Sequence, residues 1–473
     1  MKKTYNIKLI ISVLFLVLYG WQSGYCQLIN GLEGDGTSSS PVLIKSTAEL
    51  KTLSDYVNAQ HTIQVRQKYF KLTNDLDFTN DSLAYDLDQD GIKESNFKPI
   101  GTYDNTGNSL FSGHFDGDNH TIKGLKINSI DFVGLFGAVT GTSLTNRTKI
   151  QNIKIIDSEF SGNNLIGGIC GYHQYNTVSN CAVNALFTSY GSGCIVGGLV
   201  GYSYGNIIEG SRVRSIFKNT APAASLGGVI GAAGKDGNIT TTYSRSEFQS
   251  SEDSCYIGGI AGSSHTPFIN CYSVSIFKNM NFNMGVIGGF IGGQVSGCNI
   301  KNSYCYTTVT TESAKVINVG GFVGQKVSGT ITNCFYNDSS SLNNNNLATP
   351  LSEQDMKHAD FVAQLNGQDS ISIWSQDPDG RNDGYPILSS QTVGLNKITA
   401  SHDVIIKNID KKIIISAQEI QSIKVIDISG KLIYNNNLKS NDYSFEINAP
   451  QGVYIVSVKT SKTTTNSKII IYN

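Results

Sequence analysis

The sequence lacks the features that mark several classes of protein. Charged residues make up only 15% of its 473 residues, and 36 Lys and Arg nearly balance 37 Asp and Glu. This balance offers no polybasic surface for nucleic acid or for an anionic membrane. After residue 26 no heptad or helical apolar stripe is sustained, and no apolar run is long enough to span a bilayer. These absences exclude a coiled coil, a transmembrane helix downstream of residue 26 and a nucleic-acid partner.

Proline is also scarce, with 8 residues against 49 glycines. Asn, Ser, Thr, Ile, Val and Tyr are abundant instead. Many short β-branched runs are separated by Gly and Asn, which is the pattern of strands joined by turns. We therefore expect an all-β protein.

The first 26 residues have the pattern of a secretory signal peptide. Three lysines precede the apolar run Leu9–Tyr19, and small residues precede a cleavage site before Gln27. Tyr25 before Cys26 disfavours a lipoprotein anchor. Removal of residues 1–26 takes away three lysines and no acid, so the net charge becomes (36 − 3) − 37, or −4. We expect export across the inner membrane.

Six copies of an apolar-Gly-Gly-apolar phrase follow one another at near-constant spacing, such as IGGICGYH at 166–173. The first glycines of the pairs are Gly167, Gly197, Gly227, Gly258, Gly288 and Gly320, in steps of 30, 30, 31, 30 and 32 residues. A second strand-like phrase follows each pair, and an aromatic residue recurs in it at Phe187, Phe217, Phe248 and Phe277. Self-similarity at this period is typical of a solenoid.

One such unit cannot bury its apolar side alone. Stacked parallel coils pair every strand with the coils on either side, about 4.8 Å away. We therefore predict a right-handed parallel β-helix with the phenylalanines as an internal ladder. The paired glycines are expected to form tight bends with positive φ. A propeller is the alternative, but roughly thirty residues is short for a four-stranded blade.

Three regions resemble the GLUG-repeat family of bacterial surface proteins. They are the lead-in at 31–58, the block FKPIGTYDNTGNSLFSGHFDGDNHTIKGLKI at Phe97–Ile127 with GLFG at Gly134–Gly137, and the closing phrases LSEQDMKHADFVAQLN at 351–366 and NDGYPIL at Asn382–Leu388. The resemblance covers roughly residues 30–390 and implies a β-helical, adhesin-like protein. The family also occurs beside a zinc protease domain that cleaves immunoglobulin A.

The C-terminus resembles the sorting domain of type IX secretion, which is a small Ig-like β-sandwich. The segments IKVIDISGKLIYNNNL (Ile423–Leu438) and FEINAPQGVYIVSVKT (Phe445–Thr460) carry this resemblance. It implies that residues 391–473 contact the secretion machinery and that the protein is released or attached at the outer cell surface. The predicted organisation is a signal peptide at 1–26, an N-terminal cap and first coils at 27–132, the GLUG-like repeats at 133–345, a closing segment at 346–390 and the sorting domain at 391–473.

The sequence contains one pattern of a catalytic serine and lacks that of a zinc protease. Ser203 lies in a G-x-S-x-G sequence, but a nucleophile elbow requires a following helix, and the next residues are strand-like. The other copies have different residues at this position, so we interpret Ser203 as a variable loop residue. No H-E-x-x-H motif is present. His114 and His120 are close in sequence and could suggest a metal, but the block that contains them is interpreted as structural.

The segment DLDQDGIKE has the spacing of a calcium loop. Asp86, Asp88 and Asp90 alternate before a turn glycine, and Glu94 follows. Phe97 stands where an EF-hand has its twelfth ligand, so the loop is not a complete EF-hand. A solvated acidic turn is the alternative. The loop Asp377–Asp383 is a weaker second candidate.

We expect a non-enzymatic β-solenoid that binds a glycan or protein ligand outside the cell. The candidate binding residues are Tyr172, Tyr202, Arg212, Arg214 and Arg245. A polysaccharide-degrading β-helical enzyme is the alternative, but no acid cluster accompanies these arginines at the same phase of the repeat.

Eight cysteines follow residue 26. No two share a repeat phase in adjacent coils, and coils two apart are separated by about 10 Å, beyond the reach of a disulfide. We expect mostly buried thiols.

Overall fold

The structure is a computed structural model. It describes residues 28–103, 109–250, 252–280, 285–294, 297–310, 318–339, 347–367, 372–389, 405–409, 412–427, 431–447, 449–450, 452–461 and 464–471. These form two compact units that divide between residues 390 and 391. In this part of the chain we find no helix with the length and apolar character needed to cross a membrane. The predicted signal peptide lies outside the described residues.

The first unit begins with a short helical region and the first strands of a solenoid. Its elements are β1 (Val42–Ile44), α1 (Thr47–Asn58), α2 (Thr62–Val65), β2 (Tyr69–Leu72), β3 (Leu76–Asp77), β4 (His114–Asp116), β5 (Thr121–Lys123) and β6 (Lys126–Ser129). The Ser46 side chain caps α1 by accepting a hydrogen bond from the Glu49 N–H at 3.2 Å. Leu50, Leu53 and Val57 on one face of α1 are fully buried in the solenoid core.

The repeats form successive coils. Their strands are β7 (Phe132–Val133), β8 (Phe136–Thr140), β9 (Thr148–Gln151) and β10 (Lys154–Gly162); β11 (Leu165–Gly167), β12 (Cys170–Gln174), β13 (Asn176–Ser179) and β14 (Ala182–Ser189); β15 (Ile195–Gly197), β16 (Val200–Tyr204), β17 (Ile207–Glu209), β18 (Arg212–Val213) and β19 (Ile216–Asn219); β20 (Ser225–Gly227), β21 (Ile230–Ala233), β22 (Asn238–Thr240) and β23 (Tyr243–Ser250); β24 (Cys255–Gly258), β25 (Ala261–Ser264), β26 (Phe268–Ile269) and β27 (Tyr272–Lys278); β28 (Gly285–Gly288), β29 (Ile291–Gln294) and β30 (Ile300–Thr310); and β31 (Asn318–Gly320), β32 (Val323–Lys326) and β33 (Ile331–Asn337).

Each coil contributes to three parallel sheets. The glycine sheet contains β7, β11, β15, β20, β24, β28 and β31, and the second sheet contains β8, β12, β16, β21, β25, β29 and β32. The remaining strands of every coil, together with β1–β6 and β34 (Thr349–Leu351) of the closing segment, form the large sheet. Equivalent residues pair in register, as in Gly167 with Gly197 and Tyr172 with Tyr202. The predicted parallel β-solenoid is confirmed.

The predicted phenylalanine ladder is also confirmed. Phe187, Phe217 and Phe248 pair in register across three coils and are at most 1% exposed. The Phe217 ring stacks on Phe187 at 4.9 Å and on Phe248 at 4.8 Å. Phe160 and Phe277 extend the ladder at its two ends. Identical residues stack because the strands repeat every 4.8 Å or so.

The predicted reason for the paired glycines is wrong. In the described chain, none of them has a positive φ. A Cβ added at Gly198 would come within 2.4 Å of Val213 Cγ1 and 2.3 Å of the Gly228 carbonyl oxygen, and one at Gly228 within 2.1 Å of Ser244 Oγ. Glycine is needed here because the glycine sheet lies almost against the large sheet and the next coil.

Left-handed backbone occurs instead at one position of the large sheet in each coil, directly after β9, β13, β17, β22 and β26 and within β30 and β33. The residues there are Asn152, Asn180, Gly210, Thr241, Asn270, Asn302 and Asn333, with φ between 47° and 58°. Asparagine tolerates this conformation. The asparagine side chains of neighbouring coils also form hydrogen bonds with one another along the solenoid axis. Asn180 Nδ2 donates to Asn152 Oδ1 at 2.7 Å, and Asn333 Nδ2 donates to Asn302 Oδ1 at 2.9 Å.

The closing segment packs against the outer face of the large sheet. It contains β34 (Thr349–Leu351), α3 (Glu353–Met356), α4 (Ala359–Asn366), β35 (Trp374–Ser375) and β36 (Ile387–Leu388). Trp374 and Phe361 cover the stacked rings of Tyr272 and Tyr304, whose centroids are 5.1 Å apart. This segment therefore has a second apolar core outside the solenoid.

All eight cysteines of the solenoid are buried. Cys170, Cys181, Cys194, Cys255, Cys271, Cys305 and Cys334 are free thiols, which confirms the prediction for them. Burial raises the pKa of the Cys271 thiol to about 12.

The second unit is an antiparallel β-domain, as predicted for an Ig-like module. Its strands are β37 (Ile405–Ile409), β38 (Lys412–Asp427), β39 (Leu432–Glu446), β40 (Gly452–Thr460) and β41 (Thr464–Ile471). Irregular pairing interrupts β38 between Ser416 and Ser422. Alternating residues of β38 and β40, including Ile423, Val425 and Val456, form a separate core.

Candidate functional site: a groove across the large sheet

A groove of about 780 Å³ crosses the outer face of the large sheet. It runs from β10 through β14, β18–β19, β23 and β27 to β30, so six successive coils contribute to it. Asp383 of the closing segment lines it as well. Because the strands are parallel and stacked, the long direction of the groove follows the solenoid axis.

Small buried residues form the floor of this groove. They are Ser158, Ala185, Ser215, Ser246 and Ser275. From β10 to β18–β19 the regular strand pairing is interrupted at this row, and β10 shifts register against β14 between Ile155 and Ser158. Further along, β23 and β27 pair in continuous register through Ser246 and Ser275. The Ala185 N–H donates to Ser215 Oγ at 3.2 Å, and the Leu125 N–H donates to Ser158 Oγ at 3.1 Å. The hydroxyls of Ser158 and Ser215 thus accept main-chain N–H groups where the regular pairing is interrupted.

Two rows of outward side chains border the floor. The first row contains Asp157, Asn184, Arg214, Arg245, Val274 and Tyr306, and the second row contains Glu159, Leu186, Ile216, Glu247, Ile276 and Thr308. Each coil supplies one residue to each row. Ile216 and Ile276 are 42% and 39% exposed, so the second row offers apolar surface to a ligand.

Most charged groups of the groove are already paired. Glu159 pairs with Lys126 at 3.4 Å, Asp157 with Lys123 at 3.9 Å, and Glu247 with Lys278 at 2.8 Å. Arg245 pairs with Asp383 at 2.6 Å, and also donates to the Arg381 carbonyl oxygen at 2.7 Å. Among the groove residues that the structure describes, Arg214 is the charged group without a salt bridge.

The acid that is best placed near the centre of the groove is held ionised. Burial acts to raise the pKa of Glu247, but hydrogen bonds from Lys278 and Gln249 and the Lys278 charge outweigh it and lower the pKa. A general acid needs a raised pKa. Glu247 is therefore poorly suited to protonate a leaving group at neutral pH.

The predicted binding residues fall on two faces. Arg214 and Arg245 line the groove, whereas Arg212 belongs to an adjacent row in register with Ala182 and Tyr243. Tyr172 and Tyr202 lie on the second sheet, where their rings stack at 6.0 Å.

The expectation concerned acids at the repeat phase of the arginines, and the acids that line the groove stand at other positions. Asp157 lies in the irregular part of β10, Glu159 and Glu247 occupy the second row, and Asp383 comes from the closing segment. None of these acids shares the repeat phase of the arginines, and a comparison by phase therefore missed them. In the sequence, these acids are indicated only by the alternation of outward-facing residues along β10 and β23.

The acidic loop brings three of its four predicted ligands together. Carboxylate oxygens of Asp86, Asp88 and Asp90 all lie within 4.8 Å of one another. Asn128 Nδ2 donates to Asp88 at 2.9 Å and to Glu94 at 2.5 Å, so Glu94 is held beside the cluster. Burial and the Asp90 charge raise the pKa of Asp88. Hard oxygen donors in this arrangement suit a calcium ion.

The other candidates have structural contacts. His114 stacks on Tyr69 at 4.6 Å and bonds Gln67, and the nearest carboxylate to the His120 ring is that of Asp75, at 3.1 Å. Ser203 is buried in β16, and a strand follows it.

In the second candidate calcium loop, Asp377–Asp383, backbone N–H groups occupy the carboxylate of Asp377. The Asp377 carboxylate accepts the N–H groups of Arg381, Asn382 and Gly384 at 2.7 to 3.0 Å. Its oxygens are thereby used to shape the loop that carries Asp383 to the groove.

Comparison with known proteins identifies the C-terminal unit. Residues 406–472 match the family described as "Secretion system C-terminal sorting domain". This domain marks proteins that type IX secretion exports to the cell surface or beyond, so the second unit is the part that interacts with the secretion machinery.

About a third of the chain is similar to parts of longer proteins. It is 28% identical over 177 residues to "Halomucin" of Haloquadratum walsbyi and 30% identical over 152 residues to "Putative Gly-rich membrane protein" of Evansella cellulosilytica. Each match covers 32% of this chain but only 2% and 15% of those proteins. A solved structure titled as a putative immunoglobulin A1 protease from Bacteroides ovatus matches 76% of this chain and 95% of its own, with 20% identity and a TM-score of 0.47.

Proposed function

We propose that this exported β-solenoid is an adhesin-like binding protein that holds an extended ligand in the groove of the large sheet. The observation that carries the proposal is the groove itself. Six coils supply charged and apolar side chains, which form two rows along a groove of about 780 Å³. The assignment of the coils as GLUG repeats belongs to the same proposal.

A polysaccharide-degrading enzyme is the second candidate, because four acids line the groove: Asp157, Glu159, Glu247 and Asp383. Binding is favoured over hydrolysis because each of these acids is paired with a lysine or arginine. A hydrolase needs one protonated acid and one free carboxylate on either side of the scissile bond.

The two candidates are separated by a glycan array and a reducing-end release assay on the full chain. We expect retention of a glycan without release of new reducing ends. Release that is abolished by Glu247→Gln or Asp157→Asn, with binding retained, would overturn the binding-only proposal.

We also propose that Asp86, Asp88 and Asp90 bind Ca²⁺, with Glu94 as a further ligand. Support comes from the grouped carboxylates and from Asp86 Oδ1, which is buried without a hydrogen-bond partner. Ligand at a hundred times its Kd stabilises the native state by about 2.7 kcal/mol. CaCl₂ should therefore raise the thermal midpoint of the protein above that in EGTA, and Asp90→Asn should remove the increase. An equal increase in the variant would contradict the site.

Tyr172 and Tyr202 are proposed as a second contact surface on the second sheet. Their stacked rings are half-buried, and Tyr103 packs edge-on against Tyr172 at 6.1 Å. Tyr202→Ala is expected to weaken ligand retention without affecting the groove, whereas unchanged retention would leave these rings with a packing role.

A further inference from the structure

We propose that the ligand of the groove is a linear polysaccharide that carries carboxylate groups, and that Arg214 binds one of them. This inference rests on the proposed binding function of the groove. It concerns the chemical class of the ligand and the residue that selects it.

Among the described residues, the charged groups of the groove and their salt-bridge partners have a net charge of +1, which comes from Arg214. Four acid–base pairs connect Asp157, Glu159, Glu247 and Asp383 with Lys123, Lys126, Lys278 and Arg245. These pairs sum to zero, and Arg214 adds one positive charge at the middle coils. A guanidinium binds a carboxylate through two parallel N–H donors, so Arg214 is suited to a planar anion.

The position of Arg214 is fixed by its backbone. Its N–H donates to the Val183 carbonyl oxygen at 2.8 Å, and the neighbouring Ser215 hydroxyl accepts from Ala185. The exposed side chain lies in the first row between Asn184 and Arg245. Arg245 is held by Asp383, so only Arg214 can reorient toward a ligand without breaking an ion pair.

The spacing along the groove favours sugars over a peptide. Each row presents one side chain per coil, about every 4.8 Å. A pyranose unit has a similar length, so one sugar can face one coil. An extended peptide advances about 3.3 Å per residue and repeats its side-chain direction every second residue, which is out of step with the coils.

The backbone of the groove also disfavours a peptide. Extended peptides are commonly captured by pairing with an unpaired sheet edge. The groove instead crosses the middle of the large sheet, where main-chain N–H groups already bond to neighbouring strands, as Arg214 does to Val183, or to serine hydroxyls, as Ala185 does to Ser215. Recognition must therefore come from side chains. Leu186 and Ile216 can contact the apolar faces of sugar rings, and the exposed Asn184 amide can bond hydroxyl groups.

Binding of the full chain to polygalacturonate, alginate and hyaluronan tests this inference. Each polymer is compared with its carboxyl-reduced form, which keeps the sugar backbone and removes the charge. We expect at least one of the three to bind at least tenfold more tightly than its reduced form. Poly-glutamate serves as the acidic peptide and is expected not to bind.

The matched variants are Arg214→Gln and Arg212→Gln, which remove the same charge from adjacent outward positions of one strand region. We expect Arg214→Gln to weaken binding at least tenfold, Arg214→Lys to recover part of it, and Arg212→Gln to have little effect. Unchanged far-UV circular dichroism of each variant shows that it is folded.

Four results would overturn the inference. Equal binding of acidic and reduced polymers, or equal effects of the two glutamine variants, would remove the role of Arg214. Poly-glutamate binding without polyuronate binding would indicate a peptide ligand. Failure of all these polymers would refute the ligand class, while a hit with a neutral glycan on the array would leave the proposed binding function intact.

Discussion

Replacing Gly198 by alanine places a Cβ atom 2.3 Å from the Gly228 carbonyl oxygen and 2.4 Å from Val213 Cγ1. Both separations are far below van der Waals contact. The carbonyl belongs to the backbone of the next coil, where the parallel pairing of the glycine sheet restrains it. Val213 is buried in the large sheet. The clash can therefore be relieved only by separating coils or sheets.

Overpacking of this kind costs typically 1–3 kcal/mol, and more where backbone must move. We expect Gly198→Ala to destabilise the solenoid by about 3 kcal/mol. Gly210→Ala is the matched control, because Gly210 has φ 58° and its Cβ would meet only one atom, at 3.9 Å. A left-handed alanine costs about 1–2 kcal/mol, and the reduced entropy of the unfolded chain returns about 0.4–1 kcal/mol. The control should therefore lose about 1 kcal/mol.

The measurement is urea unfolding of the full chain, monitored by far-UV circular dichroism. The two variants and the parent are compared with the same dependence of the unfolding free energy on urea concentration. The expected difference between the variants is about 2 kcal/mol. If Gly198→Ala lost no more than about 1 kcal/mol, as expected for the control, close approach would not explain the paired glycines.

Three further outcomes are expected. Phe217→Ala should cost about 3–5 kcal/mol in the same urea assay and exceed Phe277→Ala by about 0.5–1.5 kcal/mol, because Phe217 loses two ring contacts and Phe277 loses one; equal losses would deny the ladder a stacking contribution. Cys271 and the other buried thiols should not react with a thiol reagent at pH 8 until the unreduced protein is unfolded in guanidinium, and absence of reactive thiols then would indicate disulfides. Burial acts to raise the pKa of Asp116, but side-chain and backbone hydrogen bonds lower it below 3.8 overall. Its contribution to stability is present above pH 3.8 or so and is lost as pH falls through the lower folded value. Asp116→Asn should therefore lose less stability than the parent between pH 5 and about pH 2, and parallel acid-unfolding curves would contradict this.

The regular part of the fold could be predicted because it depends on one period. A step of thirty to thirty-two residues places like residues on neighbouring strands, and the Phe217 ladder follows from it directly. The role of the paired glycines could not be found in this way. Gly198 is constrained by how closely two sheets approach, and that distance is a property of the assembled coil.

The groove was only partly predictable for a related reason. Arg214 and Arg245 stand out in the sequence because they recur at one phase of the repeat. The acids that surround them do not recur. Asp157 lies at an irregularity of β10, and Asp383 comes from the closing segment, more than a hundred residues away along the chain. Such contacts depend on where non-repeating segments dock, about which the period gives no information.

The closing segment gives two otherwise equivalent arginines different surroundings. Arg214 and Arg245 stand at the same position of adjacent coils, on one row, with the same side chain. Two neighbouring guanidinium groups repel each other unless one of them is neutralised. The closing segment supplies that neutralisation to Arg245 through Asp383, which fixes the segment to the sheet. No described carboxylate forms a salt bridge with Arg214, which is the basis on which we propose it as the ligand-binding arginine. The repeat thus places the cations, and the non-repeating segment determines which of them is available.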